Sequence, residues 1–206
     1  MIKLVIFDMD GVLVDACEWH RDALNMALKE VSGCEISLEE HYSTYNGLPT
    51  RVKLSMLTDS NKIKKEHKEQ IYKIKQEKTI EIVHKLAAED KEKIKLICNL
   101  KSKGIKVACF TNSIKHTAQL MLTKVGVFDL LDVFKSNQDV EQPKPDPEGY
   151  IKTMLELGCA PSETLIVEDS PKGVKAALAS KARVLVVKNA KIVNMTLFDG
   201  LDLEMP

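Results

Sequence analysis

The sequence predicts an α/β protein in which a doubly wound, Rossmann-like parallel sheet is interrupted after its first strand by an all-α insertion. Three observations carry that expectation. An apolar, β-branched run from Ile2 to Phe7 halts at Asp8, Asp10 and Gly11, as a strand buried on both faces of a parallel sheet does. Strand and helix signals alternate from Ile105 to Val187, the order that builds crossover units. Between these two stretches the pattern is helical, so residues 1–14 with 90–206 are expected to form the α/β core and residues 15–89 an inserted helical cap.

Each element has a local reason. Asp15 is a plausible N-cap for a helix in which His20, Ala23, Leu24, Ala27 and Val31 recur at helical spacing, ended by Ser32 and Gly33. Ser37 and Glu40 have the spacing of a capping box, Tyr42 to Thr50 contains a loop with Asn46, Gly47 and Pro49, and Arg51 to Leu57 is a further helical stretch. Residues 61–103 are rich in lysine and glutamate, with Ile71, Ile74, Val83, Leu86, Ile94, Ile97 and Cys98 as an intermittent apolar stripe. They are expected to form helices with solvated charged faces rather than a polyanion-binding surface. Gly104 then precedes a strand from Ile105 to Phe110. The order continues as helix 113–125, strand 132–135, helix 147–157, strand 164–167, helix 171–180 and strand 183–187. Asp146-Pro147 and Ser170-Pro171 place a cap before a helix-opening proline, and Gly126 and Gly158 end helices.

Composition narrows the class. Lys plus Arg and Asp plus Glu number 30 each, so no global basic field points to nucleic acid. The five cysteines are odd in number and lack a Cys-x-x-Cys pair, which argues against a disulfide framework and a structural zinc site and for a reducing compartment. No basic leader precedes the first strand and no apolar run is long enough to span a bilayer. The expectation is a cytoplasmic monomer without nucleic-acid or membrane partners.

The polar residues that follow the strands should share one edge, because open α/β sheets bind ligands at the carboxyl ends of their strands. Asp8 and Asp10 follow the first strand, Thr111 and Asn112 the second, and Glu168 and Asp169 the fourth, while Lys144 lies between two prolines before a helix. Two unit charges about 4 Å apart repel by roughly 4 kcal/mol at an effective dielectric of 20, so four converging acids call for a cation. Oxygen-only ligands select a hard ion, and Mg²⁺ fits a few carboxylates completed by water and substrate phosphate.

Asp8-Met-Asp10-Gly-Val-Leu-Val-Asp15, Phe110-Thr-Asn-Ser113, Lys144-Pro-Asp-Pro147 and Val167-Glu-Asp-Ser-Pro-Lys-Gly-Val-Lys-Ala-Ala177 occur in that order. Together they resemble the haloacid dehalogenase superfamily, specifically its β-phosphoglucomutase- and phosphoglycolate-phosphatase-like members with a helical cap. The resemblance implies a Mg²⁺-dependent phosphatase of a small phosphorylated metabolite, a sugar phosphate among the candidates, acting through an aspartyl-phosphate. It makes Asp8 the nucleophile, Asp10 the acid and base, Thr111 and the Asn112 backbone the phosphoryl grip, and Lys144 the charge neutraliser. It also places Mg²⁺ on Asp8, the Asp10 carbonyl and Asp169, with Glu168 in support directly or through water. The cap would set substrate specificity, with His20, Gly47 and Arg51 as substrate-facing residues. A phosphomutase would use the same core residues, and a catalytically silent binding protein would retain the fold alone. Ser113 is read as a helix cap. Two departures from the family pattern stand out: Ala88-Glu-Asp-Lys91 replaces the usual proline and glycine of the cap exit, and Lys181 stands where glycine is usual.

Overall fold

In the computed structural model, which describes residues 1–199, β1 (Leu4–Phe7) is wholly buried. It is flanked in parallel register by β2 (Lys106–Phe110) and β4 (Thr164–Glu168). Adding β3 (Val133–Lys135) and β5 (Arg183–Val186) completes a five-stranded parallel sheet in the order β3-β2-β1-β4-β5. The centre of that sheet is its most apolar part, since a strand between two neighbours and two helix layers leaves no side chain in water. Around it run α5 (Lys91–Ser102), α6 (Lys115–Val125), α7 (Glu148–Leu157) and α8 (Pro171–Ala179). Leu4, Ile6, Ala108, Phe110, Tyr150, Met154, Ile166, Ala176 and Ala177 form one core cluster of this unit. The chain divides into two compact units, one of Met1–Asp15 with the chain from Ala88 onward, the other Ala16–Ala87.

Helix ends in the α/β unit follow local chemistry. Ser170 accepts from the Gly173 amide with Pro171 opening α8, and Gly126 and Gly158 close α6 and α7 in left-handed conformation. Asp90 caps α5 through the Glu92 and Lys93 amides, so Ala88-Glu-Asp-Lys91 supplies a capped helix start in place of a proline–glycine turn. Lys181 adopts φ 64°, a left-handed conformation in which a β-carbon carries a steric penalty and for which glycine is the default.

The second unit is helical: α1 (Cys17–Ser32), α2 (Leu38–Glu40), a π-helical turn at His41–Tyr45, α3 (Thr50–Asp59) and α4 (Lys68–Leu86). Leu24, Ala27 and Leu28 of α1, Leu54 and Leu57 of α3 and Ile71 of α4 meet in its core. The capping box is present in both directions, Ser37 Oγ accepting from Glu40 N and Glu40 accepting from Ser37 N. The Asn25 side chain both donates to and accepts from the backbone of Ile36, each at 2.9 Å, and so docks the chain that leaves α1.

Four expectations need correction. The Asp15 side chain caps nothing in α1, whose N-cap is Ala16 without a side-chain bond. The stretch read as a loop from Tyr42 begins inside the π-helical turn. The apolar stripe of residues 61–103 does not include Leu86 and Cys98, which are exposed. Nor are all its lysines solvated: Lys75 and Lys93 are buried, and Lys93 Nζ donates to the carbonyls of Ala190 (2.7 Å) and Val193 (2.6 Å).

His41 yields a pH prediction. Its ring is buried, and burial, followed by the charges of Lys53, Arg21 and His20, lowers its pKa from 6.5 to about 4. The unfolded chain therefore binds the proton that the folded ring refuses, so the stabilisation is present above about pH 6.5 and is lost as pH falls toward 4. The loss amounts to as much as roughly 3 kcal/mol. Urea melts at pH 7.5 and 4.5 are expected to show that difference shrinking in His41→Leu; an unchanged difference would assign the acid sensitivity to other groups.

Candidate active site

Asp8, Asp10, Thr111, Asn112, Glu168 and Asp169 stand where strands of the α/β unit end. The Asp8 amide still donates to Val167 O at 2.9 Å, so its side chain projects from the last ordered rung of β1. The backbone then folds tightly, with the Val12, Leu13 and Val14 amides all on Met9 O and Gly11 at φ 86°, a conformation that favours glycine. This fold carries Asp10 back beside the end of β2, where Asp10 Oδ2 accepts from Ser113 Oγ at 2.8 Å. Ser113 is thus not the cap of α6, whose N-cap is Ile114 without a side-chain bond. Thr111 is buried, and its Oγ1 accepts from the Ser113 amide at 3.0 Å, which fixes the turn that delivers Ser113.

Lys144 arrives from the chain after β3. The Asn112 side chain clamps it at the backbone, Oδ1 accepting from Lys144 N (2.9 Å) and Nδ2 donating to Lys144 O (3.0 Å). All three ammonium hydrogens have partners: Asp8 Oδ1 at 2.6 Å, Glu168 Oε1 at 2.7 Å and Phe110 O at 2.9 Å. The nitrogen also lies 4.9 Å from the ring centroids of both Phe110 and Tyr150, close enough for cation–π attraction. Lys144 therefore stays charged although buried: desolvation opposes the charge, but Asp8 and Glu168 outweigh it and raise its pKa.

The acids feel the opposite strain. Burial, then Glu168, pushes the Asp8 carboxyl well above the usual range despite Lys144. Burial, Glu168 and Asp10 push Asp169 up to about 7. Carboxylate oxygens of Asp8, Glu168 and Asp169 lie within 4.8 Å of one another. Four carboxylates against one ammonium, all oxygen donors, suit a hard divalent cation, and a cation would relieve the charge that lifts Asp8 and Asp169.

Glycine is required beside this cluster at position 173. A β-carbon there would lie 1.8 Å from Glu168 Oε1, so Gly173→Ala must displace either α8 or the carboxylate. Overpacking of this kind costs about 1–3 kcal/mol; urea denaturation is expected to register that loss together with reduced activity, and wild-type stability in the variant would refute the contact.

The residues expected in the cap are described within their own unit. His20 is half-buried, with Nδ1 3.3 Å from Lys75 Nζ. Gly47 has φ 74°. Arg51 is exposed, forks onto Glu69 and stacks 4.3 Å over the Tyr72 ring. Lys53 is buried.

Two members of the site escaped the sequence. Ser113 has the residue type and place of a helix cap, and nothing in the sequence singles out Tyr150. Its distance of six residues from Lys144 carries no signal, because only the fold brings its hydroxyl onto Glu168.

The family model for haloacid dehalogenase-like hydrolases matches residues 5–187. The chain belongs to that family. Within it, the chain is 29% identical over 176 residues to the phosphorylated carbohydrates phosphatase of Thermotoga maritima, covering 85% of this chain and 80% of that protein. It is 28% identical over 193 residues to the phosphoglycolate phosphatase of Nitrosospira multiformis, covering 90% and 83%. In three dimensions this hydrolase superposes on the β-phosphoglucomutase of Clostridium difficile with a TM-score of 0.81 at 22% identity over 95% of each chain, a likeness of fold. Among the described residues no helix is long and apolar enough to cross a membrane.

Proposed function

We propose that this hydrolase is a Mg²⁺-dependent phosphatase of a small phosphorylated metabolite, working as a cytoplasmic monomer through an aspartyl-phosphate on Asp8. The observation that carries the proposal is the buried Lys144–Asp8 pair beside a cluster of further acids. It is supported by similarity to a phosphatase of phosphorylated carbohydrates and one of phosphoglycolate.

An Asp8 oxygen attacks phosphorus while the ester P–O bond breaks, and Asp10, entering as the acid, gives its proton to the departing oxygen. Water then attacks the phosphoryl group. Asp10 takes the water's proton, the bond from phosphorus to Asp8 breaks, and inorganic phosphate leaves with Asp8 restored. Ser113 keeps the Asp10 carboxyl aimed through both steps, and Lys144 cancels charge that would otherwise repel a dianionic phosphate from a carboxylate nucleophile. Thr111 and the Asn112 backbone grip phosphoryl oxygens. Asp8, Asp169 and the Asp10 carbonyl would hold Mg²⁺, which when bound neutralises phosphoryl charge and orients the group for in-line attack. The helical unit selects the substrate, with His20, Gly47 and Arg51 as the residues assigned to recognition.

Phosphate release across sugar phosphates, nucleotides and phosphoglycolate, with and without Mg²⁺, tests this directly. Release from a few compounds that disappears with chelator is the expected result. No release from a folded protein would remove the phosphatase assignment, and sugar-phosphate isomerisation would then be assayed for a mutase.

A further inference from the structure

Glu168 differs from the other acids of the edge. It is 0% exposed, and both of its oxygens are occupied. Oε1 accepts from Lys144 Nζ at 2.7 Å and from the Tyr150 hydroxyl at 2.6 Å. Oε2 accepts from Asp169 N at 3.1 Å and from Ser170 N and Oγ at 3.3 Å each. A carboxylate has about four lone-pair positions, so these donors leave little for a metal. The backbone of Gly173 packs so closely on the carboxylate that a β-carbon there would lie 1.8 Å from Oε1. Tyr150 is equally buried, and its ring meets Phe110 edge-on at 5.1 Å, so packing holds the ring that carries the hydroxyl.

We propose that Tyr150 is a positioning residue, whose phenol and Lys144 together hold Glu168 in the orientation that sets the Lys144 ammonium against Asp8, and that Glu168 thereby lies outside the cation's coordination. Without the phenol, Oε1 keeps one of its two donors and the carboxylate turns more freely about its last torsion. Lys144, whose other partners are Asp8 and a carbonyl, then loses a fixed counter-charge. Burial also raises the Tyr150 pKa well above the ordinary phenol value, so the group remains a donor throughout the working range. The assignment rests on the roles given above to Asp8 and Lys144. It differs from them in giving Glu168 to the lysine rather than to the ion.

Tyr150→Phe keeps the ring and removes only the donor. Its kcat is expected to fall about tenfold to a hundredfold, as loss of an outer supporting hydrogen bond does. KM should stay within about twofold, because neither Tyr150 nor Glu168 is exposed to substrate. Two readouts need no substrate. The ¹⁵N signal of the Lys144 ammonium should shift or broaden in the variant, which a residue serving only to fill space would not cause. Calorimetric Mg²⁺ affinity should fall clearly less in Glu168→Gln, which removes a nearby charge and an outer partner, than in Asp169→Asn, which removes a ligand outright. Unchanged kcat and ammonium signal in Tyr150→Phe would overturn the positioning role, and a loss in Glu168→Gln as large as in Asp169→Asn would make Glu168 a ligand. If Tyr150→Phe failed to fold, the metal comparison would still decide where Glu168 belongs. If the wild type released phosphate from nothing, the phosphatase assignment alone would fall, because the ammonium and metal arms are read without substrate.

Discussion

Asp8→Asn is expected to abolish phosphate release, by on the order of 10⁴-fold or more, the scale of removing one member of a catalytic group that acts as a unit. The amide has no charge with which to attack phosphorus, yet its oxygen can still accept from Lys144 Nζ, so the local fold should persist. Stability supplies a second readout. In the metal-free protein, burial and Glu168 make the Asp8 carboxyl hold its proton more tightly folded than unfolded, so its ionisation works against the fold as pH rises above the usual carboxylate range. The variant should therefore melt no lower than wild type at pH 7.5, and higher if this cost dominates the lost ion pair. Retained activity would exclude Asp8 as nucleophile. A collapse in melting temperature would mean that the pair with Lys144 contributes more than the crowding of acids costs.

Lys144→Met is expected to be the most destabilising single change at the site as well as inactivating. Methionine nearly conserves the volume and keeps contact with Phe110 and Tyr150, so the loss isolates the charge. Three hydrogen bonds disappear, and Asp8 and Glu168 are left buried without their common cation. Removing one partner of a buried ion pair costs about 3–5 kcal/mol, and here two acids lose theirs. Guanidinium melts of the metal-free protein measure that loss, and millimolar Mg²⁺ should restore part of it, since a cation near Asp8 and Asp169 replaces some of the missing positive charge. A variant as stable as wild type would mean that Asp8 takes up a proton instead, and its stability would then fall as pH rises.

Much of the candidate site is legible in the sequence. Asp8, Asp10, Thr111, Glu168 and Asp169 stand at or just after the ends of apolar runs and Lys144 between two prolines, and parallel sheets gather strand-end positions on one edge. The alternation of strands and helices gave the architecture, and Ser170-Pro171, Gly126 and Gly158 marked helix boundaries through short-range chemistry. Errors arose where a short-range rule had a long-range competitor. Ser113 has the residue type and place of an N-cap, but its hydroxyl bonds Asp10, 103 positions away in the chain. Asp15 has a cap's identity, but the helix begins after Ala16. Lys93 reads as surface charge, yet it satisfies two carbonyls almost a hundred residues distant.

The sequence by itself determined which residues can carry charge, where strands must end and hence which acids meet, because periodicity, caps and chain direction act over a few residues. Only the tertiary structure decided what each acid touches. Glu168 and Asp169 are neighbours in the chain and chemically almost alike. Glu168 is sealed against Lys144, Tyr150 and Gly173, while Asp169 is only partly buried, because burial and hydrogen-bond partners are set by side chains that the fold delivers from distant strands and helices.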